Sequence, residues 1–230
     1  MRAVVLASFA AAVVIAAPVR VLVVTGGHTY ETSFYRLFED QPDIVATVDP
    51  HPMPYRRGDL RPNYDVLLLY DSVQEITDEE RKNLTEFVES GKGMVVLHHA
   101  LVDYSDWQWW YEEVVGARWL KSQSKPLRWK TTWKHDVDMI AVPVKEHPLM
   151  EGVGKFEVND ETYKGMWFSP DITVVLKTDH PTSDGPLVWI SPYKKSRVVS
   201  IELGHGRKAH INPNFQRLVR NAILWSAGVK

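Results

Sequence analysis

VRVLVVTGGH, residues 19–28, is an aliphatic, largely β-branched run closed by paired glycines and a histidine. A strand with one wet face alternates apolar and polar residues. This one does so only weakly, which predicts a strand covered on both faces, as in a parallel sheet flanked by helices. DVLLLY (65–70) and GMVVL (93–97) read the same way. Between the strands, Ser33 can cap a short helix carrying Phe34, Leu37 and Phe38 on one side. Asp43 to Val48 is a further candidate strand, and the proline-rich stretch from Pro50 to Pro62 reads as a loop. Thr77 followed by Glu80 matches a capping box for a helix bearing Leu84, Phe87 and Val88, which Gly91 ends. This alternation predicts an α/β fold with an open, mostly parallel sheet and helices on both faces.

The second half is richer in strands. Val137–Val142, Lys155–Val158, Ile172–Thr178, Pro186–Ile190 and Arg197–Leu203 all have strand character, and a helix from Asn214 to Ala227, capped by Asn214, closes the chain. No linker long enough to separate two domains occurs, so residues 18–230 read as one domain with a β-rich elaboration.

Composition narrows the function. The 230 residues are 44% hydrophobic and carry a formal net charge of −2. No basic field exists to recruit nucleic acid or anionic lipid. There is no cysteine, which removes disulfides, thiolate metal sites and cysteine nucleophiles. The N-terminus has one positive residue, Arg2, then an apolar, small-residue stretch from Ala3 to Ala17. It reads as a secretory signal over residues 1–16, cleaved after Ala16; a buried strand running into Val19 or an uncleaved anchor are the other readings. The expectation is an exported protein, periplasmic or extracellular, with no membrane segment after signal removal. Self-association into a homo-oligomer is compatible with this composition.

The histidines carry the chemical signal. TGGH ends at His28, MVVLHH at His98 and His99, and IELGH at His205. In an open α/β sheet ligands bind beyond the carboxyl ends of the strands, so parallel strands would bring these imidazoles to one edge. Neutral imidazole suits Zn, Fe, Ni or Cu, and near neutrality it also serves acid/base chemistry. Singly, each could be a hydrogen-bonded structural residue. Gly26 and Gly27 form a tight turn that lets backbone approach a ligand; GGHTYETS is not GxGxxG, so no nucleotide is expected. Asn159 to Tyr163, NDETY, follows a short strand: Glu161 is the candidate base or metal ligand, against the alternative of a solvated turn. Trp107, Trp109, Trp110 and Tyr111 could stack on sugar rings or pack helices.

Together these stretches resemble the ThuA-like (trehalose utilisation) family. The matching signatures are VLVVTGGHTYE, DEERKNLTEFVESGKGMVVLHHA, HPLMEGV, FEVNDETY, PLVWIS, RVVSIELGH and NPNFQRLVRNAILWSAG, in family order from about Val19 onward. The resemblance implies a flavodoxin-like fold of the class I glutamine-amidotransferase type and a role in trehalose, disaccharide or keto-sugar metabolism. It implies functional positions at His28, His98, Glu161 and His205. Where amidotransferases carry cysteine, this chain has His98 and His99, which excludes the amidotransferase reaction. The chain departs from the family at Tyr193–Arg197, in place of a GxGR turn, and at Gly206 and Arg207, where an acid usually follows the histidine.

The expectation is therefore an exported protein acting on a small carbohydrate by metal-assisted or acid/base chemistry, either a hydrolase or an isomerase. His28, His98 and His205 would hold a divalent metal (Zn, Mn or Ni), Glu161 would be the base and His99 a proton-transfer group. Gly27, Trp107 and Tyr163 would contact substrate. A non-catalytic sugar-binding or accessory module on the same fold is the alternative. A two-carboxylate glycosidase ranks last, because the neighbours Asp160 and Glu161 do not announce a pair about 5 to 9.5 Å apart.

Overall fold

The computed structural model describes residues 17–121 and 130–230, so the expected signal segment and its cleavage point lie outside the described residues. The strands are β1 (Val19–Gly26), β2 (Ile44–Pro50), β3 (Val66–Asp71), β4 (Gly93–Leu97), β5 (Ala117–Arg118), β6 (Thr132–Pro143), β7 (Phe156–Lys164), β8 (Trp167–Phe168), β9 (Thr173–Lys177), β10 (Pro186–Ile190) and β11 (Val198–Ile201). The α-helices are α1 (Met53–Arg56), α2 (Asp78–Glu89), α3 (Arg207–His210) and α4 (Pro213–Ser226). Nine strands form one sheet in the order β2-β1-β3-β4-β11-β10-β9-β6-β7, while β5 and β8 pair separately.

The sheet has two halves. From β2 to β11 every pairing is parallel, and the order 2-1-3-4 with β11 in fifth place is that of flavodoxin-like folds. From β10 to β7 every pairing is antiparallel. Successive residues of the parallel strands point to opposite faces and feed separate cores. Val21, Val23, Leu68 and Val95 pack with α4, whereas Leu22, Val24, Leu69 and Val96 pack with α2 and the aromatics Tyr104 and Trp110. This two-sided burial is why the strands lack polar alternation.

Local sequence sets several ends. Thr77 and Glu80 form the reciprocal capping box of α2. The cap of α4 is Asn212 rather than Asn214, because Pro213 occupies the first helical position, where its missing N–H costs nothing. Ser33 does not cap its helix: it lies inside a short 3-10 turn, Thr32–Leu37, and its hydroxyl meets His210. The loop expected at Pro50–Pro62 contains the single turn α1. NDETY is not a solvated turn but the second half of β7, with Asp160 and Glu161 buried. Among the described residues no helix is long and apolar enough to cross a membrane.

Candidate functional site

The carboxyl ends of β1, β4 and β11 converge with β7 on one imidazole-rich centre. Gly27 makes the first approach possible. It has φ +69°, and a Cβ there would lie 2.0 Å from the Ser72 carbonyl oxygen, so only glycine lets β1 turn beneath the loop after β3. The next residue, His28, is exposed, and its ring lies face to face on His99 with centroids 3.7 Å apart.

β4 delivers His98 in the left-handed region, φ +49°, a conformation that costs a non-glycine residue on the order of 1–3 kcal/mol. The turn folds back into a short 3-10 helix, burying both His98 and His99. His98 Nδ1 donates to the Glu202 backbone carbonyl. A carbonyl only accepts, so in the neutral ring Nε2 carries the lone pair. That Nε2 faces Glu161 Oε2 at 3.1 Å and the Tyr163 hydroxyl at 3.2 Å. His99 lies edge-on to His98 at 4.4 Å, and its buried Nδ1 has no hydrogen-bond partner among the described residues.

The turn after β11 supplies His205, whose ring lies 5.4 Å from His98 and 5.3 Å from His99. Asp160 holds this turn, accepting from the backbone N–H of Gly204 at 2.6 Å and of His205 at 2.9 Å. From the other side, Tyr70 Oη and His210 Nε2 donate to the Gly204 carbonyl at 2.7 and 2.9 Å.

One ligand atom from each of His98, His99, Glu161 and His205 falls within 4.8 Å of the other three, a spacing that can hold a metal ion. Their electrostatics match. Burial holds His98 and His99 well below the usual imidazole range, which keeps both rings neutral with a lone pair available. Burial also lowers His205, against the pull of Glu161. The Glu161 carboxyl is raised by burial, with His205 and His135 opposing. His98 Nε2 and Glu161 Oε2 thus bring two acceptor atoms to contact distance, with the Tyr163 hydroxyl, a proton on Glu161 or a cation able to lie between them.

The structure therefore brings together His28, His98, His99, Glu161, Tyr163 and His205, and the group spaced to hold an ion includes His99 and Glu161 in addition to His98 and His205. His28 covers His99, and its Nδ1 lies 2.5 Å from the Thr29 carbonyl; it is not in the group whose ligand atoms are spaced to hold an ion. Trp107 is not among them. It stacks on Trp110 at 5.8 Å with the Arg81 guanidinium over its face, packing in the α2-side core.

Sequence reasoning missed His135, whose Nδ1 lies 3.1 Å from Glu161 Oε1 and 3.3 Å from His205 Nε2. No motif marks it. It is aimed by a bulge: Lys134 pairs with Thr162 and Val137 with Asp160, leaving His135 and Asp136 together opposite Glu161. Outside the centre opens a cavity of about 520 Å³ lined by Glu31, His135, Glu161, His205, Arg207 and Lys208 among others. Its size suits a small polar ligand.

Residues 20–226 match the family model described as ThuA, trehalose utilisation. A solved structure described as a ThuA-like protein from Parabacteroides merdae is 18% identical, with a TM-score of 0.78 over 93% of this chain and 91% of that one. Another, from Bacteroides uniformis, is 18% identical with a TM-score of 0.69 over 94% of each chain. A β-galactosidase from Rahnella sp. R3 aligns at 12% identity and a TM-score of 0.56, over 93% of this chain but 32% of the enzyme. At these identities the structural likeness concerns the fold. No curated protein matches the chain.

Proposed function

The chain belongs to the ThuA (trehalose utilisation) family, whose fold is glutamine-amidotransferase-like, and from there we propose that it performs metal-assisted chemistry on a small carbohydrate, a disaccharide or keto-sugar, outside the cytoplasm. His98, His99, Glu161 and His205 hold a divalent ion, with Zn, Mn and Ni the ions to test. One observation carries this reading: one ligand atom from each of His98, His99, Glu161 and His205 lies within 4.8 Å of the others, in a buried site that also contains the unpartnered His99 Nδ1. Nitrogen-rich donors with one carboxylate favour such transition metals over Mg or Ca. When bound, the ion supplies Lewis-acid polarisation of a sugar oxygen or of water.

The chain's own residues do the rest. The Glu202 carbonyl fixes the His98 tautomer, as second partners of metal-binding histidines commonly do. Glu161 directs Oε2 at His98 and Oε1 at His135. One oxygen can serve as ligand while the other takes a proton and passes it to His135, whose ring reaches solvent. This path serves an isomerase that abstracts a proton beside a carbonyl and a hydrolase that activates water. The chain contains no cysteine, so the amidotransferase reaction of the fold is closed to it.

Metal analysis by mass spectrometry of the purified protein, alongside His98→Ala and His205→Ala, tests the reading. The expected result is near-stoichiometric metal in the parent and its loss in both variants. A parent that stays metal-free after incubation with zinc, manganese and nickel would leave a carbohydrate-binding module without this chemistry.

A further inference from the structure

The aromatic residues beside the centre point to how the sugar is held, an inference that rests on the carbohydrate reading above. Most indoles here are at least partly packed: Trp110 and Trp189 are buried, and Trp107 and Trp109 pack against the α2-side core. Trp133 is different. It stands on β6, on the face of its partner Tyr163, with 59% of its surface exposed. An exposed indole on a strand offers a flat face on which an incoming apolar surface can pack.

Its surroundings indicate which surface. Trp133 pairs across the strands with Tyr163. Trp119 backs both, 6.2 Å from Trp133 and edge-on to Tyr163 at 5.0 Å. The Tyr163 ring stacks on His98 at 5.3 Å. A continuous aromatic wall thus runs from solvent, through Trp133, Trp119 and Tyr163, to the proposed metal ligands. His135 lies two positions beyond Trp133 and reaches Glu161, so one strand carries both the exposed indole and a polar group of the centre.

We infer that Trp133, backed by Trp119, is a stacking platform for a pyranose ring: the non-reacting ring of a disaccharide whose other ring reaches the His98–Glu161 pair. A pyranose presents a face of C–H bonds that packs on an indole while its hydroxyls remain in water. That accounts for an indole left exposed two positions before His135, which lines the polar cavity.

The test is calorimetric titration of the full chain with trehalose, together with saturation-transfer NMR, on the parent, Trp133→Ala and Trp133→Phe. Parent binding should weaken by about tenfold in Trp133→Ala and by less in Trp133→Phe, given the usual worth of one aromatic contact. Saturation transfer to the ring C–H protons should fall in parallel, and metal content should not change. Trehalose affinity unaltered in Trp133→Ala, or no trehalose binding by the parent at millimolar concentration, overturns the inference. The two readings separate cleanly. Metal-free protein whose sugar binding depends on Trp133 removes the metal chemistry and leaves the platform, whereas stoichiometric metal with unchanged binding in Trp133→Ala does the reverse.

Discussion

Asp160 Oδ2 accepts a hydrogen bond from the Gly204 backbone N–H at 2.6 Å, tying the middle of β7 to the turn that presents His205. The same carboxylate accepts from the His205 and Glu161 N–H groups, so it orients two of the proposed ligands without touching the ion. Asp160→Ala should leave the Gly204 N–H buried and unpaired, costing about 1–3 kcal/mol in denaturant unfolding. Metal affinity should fall by about 10- to 100-fold, read by competition with a chelator. Unchanged affinity would show that His205 is held by other contacts.

Gly27 should not tolerate a side chain. Gly27→Ala places a methyl group against the Ser72 carbonyl and asks alanine to adopt φ +69°, so a loss of more than about 2 kcal/mol is expected. Gly154, whose added Cβ would meet nothing within 4 Å, is the control, and alanine there should change stability by less than about 0.5 kcal/mol. Thermal unfolding of the two variants decides the comparison.

Stability should fall as pH rises from about 4 to 7. Burial pushes Asp71 up to about 7 and holds its neighbour Asp103 well above the carboxylate range, and neither has a basic partner in an ion pair among the described residues. The folded chain therefore keeps a proton that the unfolded chain releases near pH 4. That contribution is complete below pH 4 and is lost as pH rises through 7, on the order of 1 kcal/mol per pH unit per proton. Asp160 and Glu202, also raised by burial, slope the same way. Asp103→Asn keeps an oxygen to accept from the Val73 N–H and should flatten part of the decline between about pH 4 and 7. A melting profile as steep as the parent's would place the loss elsewhere.

Removing the metal should destabilise the fold. An ion bound only by the native state adds about 2.7 kcal/mol when free metal is a hundredfold above its dissociation constant. A chelator should lower the melting temperature of the parent, with recovery on adding metal back, and should leave Glu161→Gln unaffected. A parent indifferent to chelator would contradict the assignment of the ligand set.

The parallel half of the sheet was legible because strands such as DVLLLY are covered on both faces and leave no room for alternation. The histidine edge followed from that geometry, since His28, His98 and His205 each lie shortly after the carboxyl end of a parallel strand. β7 was not legible: Asn159, Asp160 and Glu161 favour turns locally, and only pairing with β6 and burial against backbone N–H groups hold them extended. His135 was hidden because a bulge, which leaves no mark in periodicity, aims it. Trp107 and Trp133 are chemically alike in sequence, and only the packing of the first against α2 and the exposure of the second distinguish them.

The bulge at His135 and Asp136 also makes the β6–β7 ribbon a place where the centre can be remodelled by a change in chain length rather than in side-chain chemistry. Deleting one of the two would restore one-to-one pairing while keeping Trp133 opposite Tyr163 and Val137 opposite Asp160. A single residue would then face Glu161: loss of Asp136 would keep the imidazole there, and loss of His135 would put a carboxylate in its place. Homologues one residue shorter here should therefore differ in the group that relays the proton from Glu161 while keeping the indole opposite Tyr163.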